Sequence, residues 1–174
     1  MSIAFLDFEA SSLDAGSYPI EVGWAVPERH TSESYLILPH PDWTDWDLAA
    51  QGVHGISRQM LFTHGVAGPA VLAQLSCDLA GRTVYTDAPA EDAYWLARLF
   101  QACGQPPSFS LCDAMRLFSE MAAVTGDDLE VARREVGHQF PTRHRAGPDA
   151  AYLCALWYRL ANGREALQGP AAGP

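Results

Sequence analysis

Asp7 and Glu9 stand two residues apart at the end of an apolar run that begins at Ile3. Residues i and i+2 of a strand point to the same side, so one face of this strand carries two carboxylates. A strand this apolar belongs near the centre of a sheet, where an unpaired carboxylate carries a large desolvation cost. A divalent cation resolves the conflict, because Mg²⁺ and Mn²⁺ take hard oxygen ligands and offset the repulsion between the acids. The alternative is a strand-end pair that faces water or caps a turn. Two later acids bear on the choice. Asp92 follows a short apolar strand and opens a helix, and Asp149 begins the last helix, with His144 five residues before it. Either acid alone reads as an ordinary helix N-cap, and His144 alone as a surface histidine. Their joint placement points to one site.

The elements that must gather these residues follow from hydrophobic period and from Gly, Pro, Ser and Asp punctuation. Strands are expected over Ile3–Phe8, Pro19–Val26 and Ser34–Leu38, with a turn over Ser11–Tyr18. Short connections make these an antiparallel meander, since a parallel crossover needs about a dozen residues. Pro39–Leu48 reads as irregular, its Trp43 and Trp46 serving as core or loop anchors, or as a substrate platform if exposed. A helical turn over Ser57–Phe62 is followed by an amphipathic helix over Pro69–Leu79, ended by Gly81. A fourth strand spans Thr83–Thr86. The next helix, Asp92–Cys103, carries the stripe Trp95, Leu96, Leu99 and Phe100. Ser108–Leu111 is the candidate fifth strand, followed by apolar turns around Met115, Phe118 and Met121 and a helix over Asp127–Glu135. An Arg- and His-rich loop, His138–Gly147, leads to a final helix from Pro148 through Leu160. The expected class is therefore α/β: one mixed sheet with an antiparallel opening and flanking helices. Residues 1–162 form a single domain in this reading, and the small, polar, Gly/Pro-rich tail over 163–174 frays.

Composition narrows the function. A chain of 174 residues, 48% hydrophobic and 18% charged, buries roughly 70% of its extended surface and is neither disordered nor membrane-spanning. Met1 to Phe8 reads straight into a strand rather than a signal peptide, so a cytoplasmic protein is expected. All eleven basic residues are arginine, and Asp plus Glu outnumber them by ten. Such a surface cannot gather polyanions by long-range attraction, so a nucleic-acid role requires metal ions at an acidic site or a local arginine patch. Arg133, Arg134, Arg143 and Arg145 are concentrated in the thirteen residues 133–145, as phosphate receptors or as solvated surface. Cys77, Cys103, Cys112 and Cys154 show no close C-x-x-C pair and read as reduced filler.

Asp7-Phe8-Glu9, an Asp at the start of a mid-chain helix, and His144-Arg145-Ala146-Gly147-Pro148-Asp149 resemble the three motifs of the DEDD-type 3′-5′ exonucleases. These have a ribonuclease H-like fold and include proofreading domains, oligoribonuclease and ribonuclease T. A His five residues before the last Asp is the mark of the histidine subgroup; the tyrosine subgroup has a Tyr where Arg145 stands. Val53-His54-Gly55-Ile56-Ser57 resembles a segment found between the first two motifs, and the resemblance runs from residue 3 to about 160. The second motif departs from the family's His-Asn-x-x-Phe-Asp. Aligning on Leu96 makes Asp92 the metal ligand and puts Asp87 in the place of the His, where it organises the turn or contacts substrate.

The resemblance implies two Mg²⁺ or Mn²⁺ ions held by Asp7, Glu9, Asp92 and Asp149, with Asp7 bridging. Two such ions about 3.5 to 4 Å apart supply a deprotonated water and a clamp on the developing charge. His144 is the expected acceptor of the water's proton, a task suited to a group titrating near neutrality. Phe8, Leu13 and His54 are the expected wall for the terminal nucleotide, with Asp87 and Arg145 also facing substrate; Phe8 and Leu13 also read as ordinary packing. The expected substrate is the 3′ end of single-stranded nucleic acid, RNA ahead of DNA, with a nucleoside 5′-monophosphate as product. A homodimer is expected by analogy with small family members. Two other classes remain at this level: a scaffold that has kept the fold without the chemistry, and a ribonuclease H-like endonuclease.

Overall fold

The computed structural model describes residues 2–29, 31–141 and 144–163. The expected tail therefore lies almost wholly outside the described residues, as does Arg143. Five strands form one sheet: β1 (Ile3–Ala10), β2 (Pro19–Ala25), β3 (Ser32–Leu36), β4 (Thr83–Thr86) and β5 (Leu111–Asp113), in the order β3-β2-β1-β4-β5. β1 pairs antiparallel with β2, and β2 with β3, which is the expected meander. β4 then joins parallel to the other side of β1, and β5 parallel to β4.

Among the described residues seven helices flank the sheet: α1 (Leu48–His54), α2 (Arg58–His64), α3 (Gly68–Leu79), α4 (Pro89–Ala102), α5 (Ala114–Thr125), α6 (Leu129–Gly137) and α7 (Ala146–Asn162). Alternation along β1 assigns its two faces. Ala4, Leu6, Phe8 and Ala10 pack into one cluster with Leu61 of α2 and the stripes of α3 and α4. Ile3 and Phe5 face the other way, into a cluster with α5, α6 and α7, where Phe5 stacks on Phe118 at 5.9 Å between ring centres. Burying each such aromatic stabilises the fold by about 1.5–3 kcal/mol. Asp7 and Glu9 continue the Ile3–Phe5 face toward the start of α7 and are half-buried.

Several elements differ from the expectations: β3 lies two residues earlier, α5 is a full helix where apolar turns are expected, α7 begins at Ala146 rather than Pro148, and α1, β5 and α4 differ as well. α1 lies partly in the stretch read as irregular; Leu48 and Val53 are exposed, so it has no apolar stripe to reveal it. Its real signals are Asp47, which accepts from Ala49 N–H at 2.8 Å, and Gly55, whose φ of 71° ends the helix. β5 begins where the expected strand ends, because Asp113 must both close the strand and cap α5 by accepting from Met115 and Arg116 N–H. α4 starts three residues early, at Pro89, so Asp92 sits within its first turn. Trp43 is buried and stacks on Tyr18 at 5.2 Å, and Trp46 donates to Gln51 at 3.0 Å, so both are anchors. Cys77 is exposed, unlike the other three cysteines, and all four are free thiols. No described helix is long and apolar enough to cross a membrane.

Candidate active site

β1 is flanked by an antiparallel strand on one side and a parallel one on the other, so its C-terminal end opens at a switch in sheet topology, the place where α/β sheets leave a crevice. Asp7 and Glu9 emerge there. Two groups of acids meet at Asp7: ligand oxygens of Asp7, Glu9 and Asp149 lie within 4.8 Å of one another, and so do those of Asp7, Asp87 and Asp92. Residues 142 sequence positions apart thus share one carboxylate cluster (Asp7 to Asp149).

Asp149 is brought in by close approach of α7 to β2. Gly23 pairs directly with Asp7, and a Cβ at Gly23 would lie 2.3 Å from the Ala146 carbonyl carbon. Only glycine lets the first turn of α7 lie on the sheet at this point. The carboxylate of Asp149 folds back to accept from His144 N–H at 2.7 Å and Arg145 N–H at 3.2 Å. Those bonds anchor the backbone of His144, whose φ is 61° and whose side chain is exposed.

Asp92 is only 1% exposed. Its Oδ2 accepts from the hydroxyl of Thr86, while Oδ1 is buried with no hydrogen-bond partner. The turn between β1 and β2 is held by side chains: Tyr94 of α4 donates to the Ala15 carbonyl at 2.6 Å, Trp95 to Ser17 at 3.0 Å, and Ser11 and Ser12 to Asp45 at 3.0 and 2.5 Å. Between this turn and α4 runs a groove of about 360 Å³ lined by Leu13, Ser17, Glu91, Tyr94 and Trp95. A larger cavity, about 510 Å³ around Cys154 and Tyr158, contains none of the acids.

The expected substrate residues divide. Leu13 is exposed at the mouth of the groove, and Asp87 is exposed within the acidic cluster. Phe8 is buried in the core, as alternation on β1 requires, so its side chain forms no part of an exposed wall. His54 is buried; its Nδ1 accepts from Ile56 N–H at 3.0 Å, which leaves Nε2 carrying the proton, and burial lowers its pKa. Arg145 is turned to Glu21, donating through Nε at 2.9 Å and Nη2 at 2.7 Å. Arg133 pairs with Glu130 on α6. Glu21 and Thr86 escaped the sequence reading. Glu21 is 1% exposed and lies directly across from Glu9, with Ala146 N–H donating to it at 3.0 Å. Only a Glu inside an otherwise apolar strand could have drawn attention to it.

Electrostatics mark the cluster as built for cations. Burial pushes the Asp7 carboxyl well above its usual range, helped by repulsion from Asp92, Glu9, Asp87 and Asp149. Burial and the charges of Asp149 and Glu21 raise Glu9 to about 8. Burial, with repulsion from Asp87 and Glu91, raises Asp92 to about 7, against the Thr86 hydroxyl that donates to it and a weaker approach of the Phe8 backbone N–H outside hydrogen-bond geometry. Without cations, Glu9 and Asp92 therefore titrate near neutrality. A set of hard oxygen donors, a buried unpartnered Oδ1 and this mutual repulsion fit Mg²⁺ or Mn²⁺.

No family model matches the sequence, and no curated protein matches it. Solved structures match it in fold. E. coli exonuclease I in complex with a dT13 oligonucleotide aligns with a TM-score of 0.72 at 15% identity, over 96% of this chain and 42% of that one. A 3′-exonuclease that recognises the 3′ end of a histone mRNA stem-loop aligns with a TM-score of 0.68 at 14% identity, over 94% of this chain and 65% of that one. The nuclease domain of 3′hExo, a DEDDh family member bound to rAMP, aligns with a TM-score of 0.68 at 14% identity, over 94% of each chain. This chain spans well under half the length of exonuclease I. At such identity the likeness is one of architecture: the chain has a ribonuclease H-like α/β fold, shared with these exonuclease structures.

Proposed function

We propose that this chain is a divalent-cation-dependent 3′-5′ exonuclease that removes nucleoside 5′-monophosphates from single-stranded nucleic acid, RNA in preference to DNA. The observation that carries the reading is that Asp7 belongs to both acidic groups. Glu9 and Asp149 complete one cation site with it, and Asp92 contributes to the other. Cations bound there would lower the pKa of a water and neutralise charge building on the scissile phosphate.

His144 supplies the base. Its backbone is anchored to Asp149 while its imidazole reaches solvent, so it can accept the proton of an attacking water. The water oxygen bonds to phosphorus, the bond to the preceding 3′ oxygen breaks, and that oxygen takes a proton from solvent. The terminal nucleotide leaves with its 5′-phosphate. Leu13 and Tyr94, on the groove that α4 lines with Glu91 and Trp95, receive the terminal base. Arg145, held by Glu21, keeps part of its guanidinium exposed toward phosphate. Exonuclease I is bound to dT13 and the 3′hExo nuclease domain to rAMP; the latter is matched over 94% of its length, which favours RNA.

Matched 5′-labelled RNA and DNA strands with Mg²⁺ or Mn²⁺ test the reading. A descending ladder, slowed by a blocked 3′ end and faster on RNA, is expected. Efficient cutting of a circular strand would show endonuclease action instead, and faster loss of DNA would overturn only the RNA preference.

A further inference from the structure

The parallel register of β1 and β4 runs Ile3 with Thr83, Ala4 with Val84 and Phe5 with Tyr85. β4 ends at Thr86, so Asp87 follows it at the mouth of the sheet, where ligand oxygens of Asp7, Asp87 and Asp92 lie within 4.8 Å of one another. Like charges so placed are destabilising unless a cation lies between them. A separate observation points to the same place: Asp92, 1% exposed, has one oxygen occupied by Thr86 and the other, Oδ1, buried without a partner.

We propose that Asp87 is a direct ligand of the second cation, together with Asp7 and Asp92, so that the free protein holds both ions before any nucleic acid arrives. The inference rests on the exonuclease reading and extends it. A cation bound by Asp7 and Asp92 alone would depend on substrate phosphate for its remaining charge and ligands. A third carboxylate supplies them in advance, and cation affinity rises with the number of charged ligands. Asp87 is exposed, so it closes the solvent side of a site whose buried side is Asp92.

Titration of the protein with Mn²⁺ alone, followed by electron paramagnetic resonance of the free ion, reads the number bound. Two tight ions per chain are expected in the native protein. In Asp87→Asn one of them should weaken about ten-fold or more, while the ion shared by Asp7, Glu9 and Asp149 keeps its affinity and reports an intact fold. A native protein that binds one ion or none, or a D87N protein that loses neither or both, overturns the proposal. Hydrolysis of a 5′-labelled strand by the same native preparation judges the exonuclease reading separately. Two bound ions without hydrolysis would remove that reading and leave Asp87 as a ligand.

Discussion

His144 is the one non-glycine among the described residues with positive φ, at 61°. Histidine tolerates this region better than most residues, yet holding it there still costs free energy, which the 2.7 Å bond from its N–H to Asp149 offsets. The bond belongs to the backbone, so the position of residue 144 does not depend on its imidazole. His144→Ala should therefore keep both Mn²⁺ ions while single-turnover cleavage falls by about 10² to 10⁴-fold. Unchanged cleavage across neutral pH would place water activation elsewhere. Asp7→Asn is the opposite case, since one carboxylate serves both groups. It should abolish paired Mn²⁺ binding and Mg²⁺-dependent hydrolysis, with the circular dichroism spectrum retained.

At the scale of elements, the site depends on how closely α7 sits on the sheet. Gly23 permits this contact and Glu21 fastens it, taking Arg145 and Ala146 from the start of α7. Gly23→Ala would drive a methyl group to 2.3 Å from backbone, which cannot move as a side chain tip does. A loss of about 1–3 kcal/mol or more is expected by denaturant unfolding, together with weaker Mn²⁺ binding at the Glu9 side as Asp149 shifts. Gly52, inside α1, is the control: a Cβ there meets nothing within 4 Å. Gly52→Ala should stabilise by about 0.5–1 kcal/mol and leave cation binding untouched.

Across the whole molecule, Asp7, Glu9 and Asp92 link stability to pH. Their folded pKa values lie above the unfolded ones, to about 8 for Glu9 and about 7 for Asp92. The folded state therefore binds more protons between about pH 4 and 8, and the stability these groups contribute, full below about pH 4, is lost as pH rises through 7 and 8. Each such carboxylate changes metal-free stability by up to about 1.4 kcal/mol per pH unit. Melting in EDTA should fall in temperature from pH 5.5 to pH 8. Mn²⁺ should raise the melting temperature more at pH 8, where fewer protons must be displaced. An equal Mn²⁺ effect at both pH values would show that these acids do not hold the ions.

The meander, the existence of a fourth strand and most helices could be read from the chain because each rests on local signals: alternation on β1, short connections, and the stripes of α3 and α4. α1 and β5 could not be placed well, being short and lacking a buried face that repeats. Asp7, Glu9, Asp92, Asp149 and His144 stood out because an acid at a strand end or helix start is visible in one dimension. Their joint placement pointed to one site, but what brings them together is tertiary: Gly23 admits α7, Glu21 and Arg145 fix its first turn, and the end of β4 brings Asp87 into reach of Asp7. Phe8 shows the same division: its identity suggested a platform, and the parity of β1 turned it into the core. Sequence by itself determined which side chains carry charge and which strands alternate; pairing between distant segments decided which charges meet, because only there do desolvation and repulsion between acids arise.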